Sequence, residues 1–223
     1  MENQKPSILT RIKRKIAYAI VASEFYTNLL EKVIPYIRLT TYYPRFPVLQ
    51  FQELYARVEV GDILLTNDYR KLTTILIPGD WAHAAIVVGK GQGHIEVVEM
   101  THVGFNKTDV HKVCAESERV RIKRVDDPRW DIETFINNVW KHEGSTYNFG
   151  FLAKEKKDPR NKKGDKMHRS NYCSQLVTQA DEDNILDVNW DDLAGLGVPY
   201  ISPDGLDKGK NLITIYDTGD VRK

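Results

Sequence analysis

Cysteine is scarce in this sequence, since only Cys114 and Cys173 occur among 223 residues. Two cysteines cannot build the framework of several disulfides that holds small secreted domains together. Such sparse use indicates a reducing compartment or a reactive thiol. Neither positive nor negative residues are in strong excess, because the sequence has 32 Lys and Arg and 31 Asp and Glu. The composition therefore gives no overall argument for a nucleic-acid partner.

Long apolar runs are also missing. No stretch approaches the ~18 consecutive apolar residues of a membrane-spanning helix. The basic segment 11–15 and the apolar segment 16–22 resemble the start of a signal peptide, but the apolar part is short and an amphipathic pattern follows it. We therefore predict a helix here and a cytoplasmic protein. His, Cys, Asp and Glu nowhere show metal-ligand spacing, so no metal and no cofactor are predicted.

The N-terminal region is predicted to form a helical arm. Isoleucines at 8, 12, 16 and 20 recur at helical spacing within residues 6–38, and basic residues lie between them. Packing on the chain's own domain or on a second subunit is the favoured interpretation; contact with a membrane surface is the alternative. Residues 41–51 carry two prolines and are predicted to be a linker. The predicted domains are thus an arm and linker over 1–50 and a catalytic domain over 51–223.

The remainder of the chain is typical of a strand-rich α+β domain. Strands are predicted at 61–66, 82–89, 94–101, 119–125 and 212–217, and helices at 131–144 and 170–181. The second and third strands form a hairpin around Lys90–Gly93. Ser170 or Asn171 is the expected N-cap of the last helix.

Residues 153–169 form a strongly basic segment of low apolar content. Eight Lys and Arg face three Asp and Glu, a net charge of 8 − 3 = +5. The composition predicts a solvated loop. Because the segment closely precedes Cys173, an active-site flap or a contact with an anionic substrate is the alternative.

Cys173 is the stronger of the two candidate nucleophiles. It opens a predicted helix, where unpaired N–H groups and the helix dipole stabilise a thiolate. A small buried residue is the alternative interpretation of any free cysteine. Cys114 has no predicted helix start beside it, and for this residue the structural role is favoured.

His83 and Glu99 are the candidate partners of that thiol. His83 lies at the start of an apolar strand, where a histidine needs a hydrogen-bonding partner. Strand alternation places Glu99 on the face of Ile95 and Val97, and a buried carboxylate is costly unless it is paired. A His83–Glu99 contact satisfies both side chains and has the geometry of a base held by an acid. Glu96 replaces Glu99 if the register differs.

The order His, Glu, Cys and the segments around these residues resemble the permuted papain-like hydrolases of the NlpC superfamily, especially the YiiX/YaeF-like group. The segments that carry the resemblance are GDILLT (61–66), KLTTILIPGDW (71–81), AHAAIVVG (82–89), EVVEM (96–100) and NYCSQLV (171–177). The resemblance implies a small barrel-like antiparallel sheet packed on helices. It also implies catalytic roles for His83, Glu99 and Cys173.

The predicted activity is cleavage of an amide bond, in a peptide, isopeptide or cell-wall peptide, through an acyl-enzyme at Cys173 with His83 as base. Trp81 and Tyr172, which lie beside these residues in the sequence, are expected to contact a peptide or an acylated small molecule; packing is the alternative for Tyr172. Two other functions remain open. One is a lipid-directed acyltransferase or lipase at a membrane surface, and the other is a binding module without catalysis.

Overall fold

A six-stranded antiparallel sheet forms the centre of the molecule. The computed structural model describes residues 23–39, 47–68, 74, 77, 79–148, 170–192 and 199–219. The strands are β1 (Ile63–Asn67), β2 (His83–Gly91), β3 (His94–Thr101), β4 (Gly104–Asp109), β5 (Arg119–Val125) and β10 (Leu212–Asp217). Their order across the sheet is β10-β5-β1-β2-β3-β4. The fold is therefore α+β with an antiparallel sheet, as the sequence predicts.

Helices and short strands complete the fold. The α-helices are α1 (Glu24–Lys32), α2 (Val48–Arg57), α3 (Val110–Ala115), α4 (Ile132–Trp140), α5 (Cys173–Ala180) and α6 (Pro203–Asp207), with a 3-10 helix at Ile34–Tyr36. The short strands are β6 (Thr146–Tyr147), β7 (Ser170–Asn171), β8 (Asp191–Asp192) and β9 (Pro199–Tyr200). β6 pairs with β7 in parallel, and β8 pairs with β9 antiparallel.

The sheet separates two clusters of buried side chains. One contains Ala84, Ile86 and Val98 together with Cys173 and Leu176 of α5. The other contains the alternate strand residues, such as Leu64, Ala85 and Val97, together with Leu54 of α2 and Cys114 of α3. Successive strand residues point to opposite faces, so both faces of the central strands are apolar. Burial on both faces fixes the strand register, because a slip of one residue exchanges the two sets.

Most of the predicted elements are present with nearly the predicted bounds. β1, the β2–β3 hairpin, β5, α4, α5 and β10 all occur. Gly144, at the end of the predicted helix, has φ +80, the left-handed backbone that glycine adopts readily.

The linker predicted over 41–51 is wrong in its described C-terminal part. Val48 begins α2, and Pro47 is its N-cap with φ −63. Proline fixes φ near the helical value and donates no N–H, so it is tolerated at the start of a helix. The prolines thus precede a helix, which crosses the expected domain boundary at residue 50. The division into an arm and a catalytic domain stays a prediction.

Part of the predicted arm and the basic segment 153–169 lie outside the described residues. The described part of the arm contains α1 and the 3-10 helix, with Ser23 accepting a hydrogen bond from the N–H of Tyr26 at the helix start. Tyr36 meets the ring of His102, with 5.4 Å between centroids. No helix in the described part of the chain has the length and apolarity of a membrane span. The cytoplasmic location stays a prediction.

Candidate active site

His83 is the first residue of β2, as the sequence predicts. β1 fixes its position, because Thr66 pairs with His83 across the two strands. The His83 side chain is 26% exposed, so solvent reaches the imidazole. The strand pairing therefore fixes the position of His83, while its imidazole stays accessible to solvent.

Glu99 is bonded directly to this imidazole. His83 Nε2 lies 2.7 Å from Glu99 Oε2, and the contact expected from strand alternation is present. Glu96, the alternative, instead contacts Lys107 at 2.9 Å and His94 at 3.4 Å. The other oxygen of Glu99, Oε1, accepts a hydrogen bond of 3.0 Å from Asn106 Nδ2.

Cys173 is the first residue of α5. The helix carries Leu176, Val177 and Ala180 on its buried face, and these residues pack on the sheet near β2. The predicted N-cap at Ser170 or Asn171 is wrong: Tyr172 is the N-cap, because the two earlier residues pair with β6. Helix packing and strand pairing together hold the thiol at the helix start.

Cys173 and His83 shift each other's pKa in opposite directions. Burial raises the pKa of Cys173, but the hydrogen bond and positive charge of His83 and the N–H groups of Ala84 and Ser174 outweigh burial, so its pKa is lowered. Burial lowers the pKa of His83, but hydrogen bonds and negative charge from Cys173 and Glu99 raise it to about 10. Each group therefore favours the charged form of the other, a thiolate beside an imidazolium.

The His83 ring has two partners. Nε2 lies 2.7 Å from Glu99 Oε2, and Cys173 also hydrogen-bonds with the ring. An imidazolium donates from both nitrogens, whereas a neutral imidazole donates from only one. The arrangement therefore favours the protonated ring, and it can both activate a nucleophile and return a proton to a leaving group.

Tyr147 is a neighbour of the thiol that the sequence interpretation did not identify. Its hydroxyl hydrogen-bonds with Cys173, and its pKa is raised well above that of a free tyrosine, first by burial and then by the negative charge of Cys173. β6 is held beside the helix start by its pairing with Asn171 and by the hydrogen bond from Asn148 N to Asn171 O at 2.8 Å. In the sequence, Tyr147 lies in GSTYNFGF (144–151), which resembles the same family less specifically than the segments around His83 and Cys173.

Trp81 and Tyr172 are both almost completely buried, each 1% exposed. Tyr172 Oη accepts a hydrogen bond of 3.0 Å from Ile201 N. The ring of Trp81 packs against the guanidinium groups of Arg119 and Arg121, at 4.6 and 4.8 Å from the ring centroid. Both side chains thus contact protein groups, and their role in substrate binding stays a prediction.

The described residues around this site do not form a set of metal ligands. Among the residues that the structure describes, no group of three His, Cys, Asp or Glu side chains is arranged to hold a metal ion. His83, Glu99 and Cys173 bring an imidazole, a carboxylate and a thiol into one chain of contacts.

A sheet that carries an imidazole, packed on a helix that starts with a cysteine, is the architecture of a papain-like cysteine hydrolase in permuted chain order. The sequence model of the permuted papain-like amidase family YaeF/YiiX, peptidase family C92, matches residues 57–205. The chain belongs to this family and is therefore an enzyme of the cysteine amidase and peptidase class.

A solved structure supports the same fold. The chain is similar to YiiX from Escherichia coli O157:H7, whose crystal structure is described as that of a metalloprotein. The TM-score is 0.51 at 18% identity, with 72% of this chain and 97% of the YiiX chain covered. No curated protein matches the sequence. Residues 1–56, which include the predicted arm and most of α2, lie outside the family match.

Proposed function

We propose that the chain hydrolyses amide bonds, in a peptide, an isopeptide or an acylated small molecule, through a covalent acyl-enzyme at Cys173. The observation that carries the proposal is the placement of Cys173 at the start of α5 with its side chain hydrogen-bonded to His83, whose Nε2 lies 2.7 Å from Glu99 Oε2. A thiolate stabilised by a neighbouring imidazolium is a nucleophile that needs no separate proton-removal step. Family membership supports the same class of reaction.

In the first half of the reaction the Cys173 thiolate attacks the carbonyl carbon. A sulfur–carbon bond forms, and the carbonyl oxygen becomes an oxyanion. Two kinds of donor lie close enough to the sulfur to stabilise this oxyanion: the N–H groups at the start of α5 and the Tyr147 hydroxyl. His83 then gives its proton to the amide nitrogen, the carbon–nitrogen bond breaks, and the amine leaves.

In the second half water cleaves the thioester. His83, now neutral, takes a proton from water, and the resulting hydroxide attacks the acyl carbon. The sulfur–carbon bond breaks, the carboxylic acid leaves, and the thiolate–imidazolium pair is restored. Glu99 keeps the ring oriented and supports its charge in both halves.

Trapping of the acyl-enzyme tests this proposal. The intact chain is mixed with p-nitrophenyl acetate and quenched in acid, and peptide mass spectrometry locates the acetyl group. Acetylation of Cys173 that disappears in Cys173→Ala and His83→Ala, followed by turnover of a fluorogenic peptidyl amide, supports an amidase. Absence of acetyl transfer to Cys173, or transfer that His83→Ala does not affect, contradicts it.

A lipid-directed acyltransferase or lipase is the second candidate. The observation that favours it is the exposure of apolar side chains near the arm: Phe25 is 79% exposed, Leu49 78% and Tyr36 67%. Exposed aromatic and aliphatic side chains of this kind suit insertion at a membrane surface. The proposed partner of the arm is then an anionic bilayer and not a nucleic acid.

Liposome flotation separates the two candidates. The full chain is compared with Phe25→Ser/Leu49→Ser on vesicles of phosphatidylcholine with and without phosphatidylserine. Binding that the double variant loses, together with acyl transfer from a phospholipid to Cys173, favours the lipid enzyme. Absence of binding in the full chain contradicts it and leaves the amidase.

A further inference from the structure

His83, Glu99 and Asn106 form a row of polar side chains in contact across the three strands β2, β3 and β4. Asn106 lies on β4 directly opposite Glu99 in the antiparallel pairing of β3 with β4. The Nδ2 atom of Asn106 donates to Glu99 Oε1 at 3.0 Å. A carboxylate only accepts hydrogen bonds, so the amide nitrogen of Asn106 must be the atom that faces it.

The two oxygens of Glu99 are therefore shared between two strands. Oε2 takes His83 on β2, and Oε1 takes Asn106 on β4. The carboxylate side chain is 11% exposed, and a carboxylate so little hydrated is stabilised in its ionised form by donated hydrogen bonds. With both oxygens engaged, the carboxylate plane has a single favourable orientation.

We propose that Asn106 is a positioning residue: it holds the Glu99 carboxylate ionised and turned toward His83, so that the imidazolium persists beside Cys173. The inference rests on the proposed thiol chemistry and extends it to a side chain that contacts neither the thiol nor the imidazole in the described hydrogen bonds. Without the amide donor the Glu99 carboxylate turns away from His83 more easily, so the imidazolium is less well supported and the Cys173 thiolate is less stabilised.

The tyrosines around the thiol stay uncharged below pH 10. Three phenols act electrostatically with Cys173, and burial is the first cause that raises the pKa of each: Tyr147, Tyr172 and Tyr200, the last to about 12. They remain neutral in that range. Lys107, the residue after Asn106, contacts Glu96. The charge that responds to Asn106 is thus that of His83 with Glu99.

The test is the pH dependence of iodoacetamide labelling at Cys173, located by mass spectrometry in the full chain. Asn106→Leu removes the amide at nearly constant volume, and Asn106→Ala removes it with less bulk. Thr108→Val is the matched control, because Thr108 lies on the same strand opposite Val97. Asn106→Gln retains an amide donor. Thermal unfolding of each variant confirms that it is folded.

We expect the acid limb of the labelling profile to move to higher pH in the Leu and Ala variants by about one unit, which is about a tenfold lower rate below the limb. The Gln variant should lie between these and the wild type, and Thr108→Val should superimpose on the wild type. If the wild-type limb lies below the pH of an ordinary thiol and the Leu and Ala profiles are identical to the wild-type profile, the role of Asn106 is overturned. The proposed function then still stands. Equal shifts in all variants, Thr108→Val included, also overturn the role of Asn106. A wild-type limb at the pH of an ordinary thiol instead overturns the proposed function itself.

Discussion

His83 and Glu99 meet diagonally across two antiparallel strands. Glu99 pairs with Ala85, two residues along β2 from His83, and 2.7 Å separates Nε2 from Oε2. Residues two apart on a strand point to the same face, so the sheet itself brings the ring and the carboxylate together. The geometry of this pair is therefore as rigid as the strand register, which burial on both faces fixes.

Replacement of Glu99 by glutamine should weaken the site without changing its shape. Glu99→Gln removes the negative charge that supports the imidazolium, so we expect acyl transfer to Cys173 to slow at least about tenfold. The measurement is the rate of p-nitrophenol release. Glu96→Gln is the control, since Glu96 contacts Lys107 and His94. Equal rates in the two variants would show that Glu99 does not act on His83.

Removal of the imidazole should raise the pKa of Cys173. His83→Ala deletes both the hydrogen bond and the positive charge that lower this pKa, whereas burial, which raises it, remains. The thiolate exists above the pKa, so an upward shift removes it from neutral solution. Labelling by iodoacetamide at pH 7 should fall at least about tenfold. His94→Ala serves as the control, because His94 contacts Asp109 and Glu96; loss of labelling there as well would argue against a specific pair.

Two tyrosines near the thiol should respond differently to loss of the hydroxyl. Tyr147→Phe removes a donor beside the sulfur, and we expect acyl transfer to fall by about tenfold to a hundredfold. Tyr172→Phe instead removes the acceptor of Ile201 N. This change should cost about 1 kcal/mol of the free energy of unfolding and leave the chemical step nearly unchanged. Steady-state kinetics and urea unfolding of both variants separate the roles, and an unaffected Tyr147→Phe enzyme would exclude the hydroxyl from the oxyanion site.

Gly104 should be intolerant of a side chain because it lies against β6. An added Cβ would stand 2.5 Å from the carbonyl oxygen of Ser145, and φ is +104. Gly93 is the matched control, with φ +71 and open space around the added atom. We expect Gly104→Ala to cost at least about 1 kcal/mol more of unfolding free energy than Gly93→Ala. Thermal or urea unfolding measures the difference. Equal losses would mean that backbone strain alone governs both positions.

The central strands and the contact between His83 and Glu99 were predictable from the sequence because their signals are local. Alternating β-branched residues mark β2 and β3, and a polar residue on an apolar strand, such as His83 or Glu99, demands a partner. A cysteine at the start of a helix has a similar local signature. The register that joins these residues follows from the hairpin.

Other features were not predictable because they depend on contacts distant in the sequence. The two prolines before α2 look like a linker, and only the burial of Leu54 against the sheet shows a helix. β4 has no alternating apolar pattern, so Asn106 gave no signal of its contact with Glu99. Tyr147 reaches Cys173 only through the parallel pairing of β6 with β7.

The central claim is that Cys173 is a thiolate at neutral pH because His83 carries its proton, and site-resolved alkylation tests it most directly. The rate of iodoacetamide labelling is measured at each cysteine of the intact chain from pH 4 to 10. We predict that labelling of Cys173 persists well below about 8.5, the pKa of a free thiol. Cys114, whose pKa burial raises to about 12, should remain unlabelled over the same range. Labelling of Cys173 that begins only above the pKa of a free thiol, or that follows Cys114, would contradict the account.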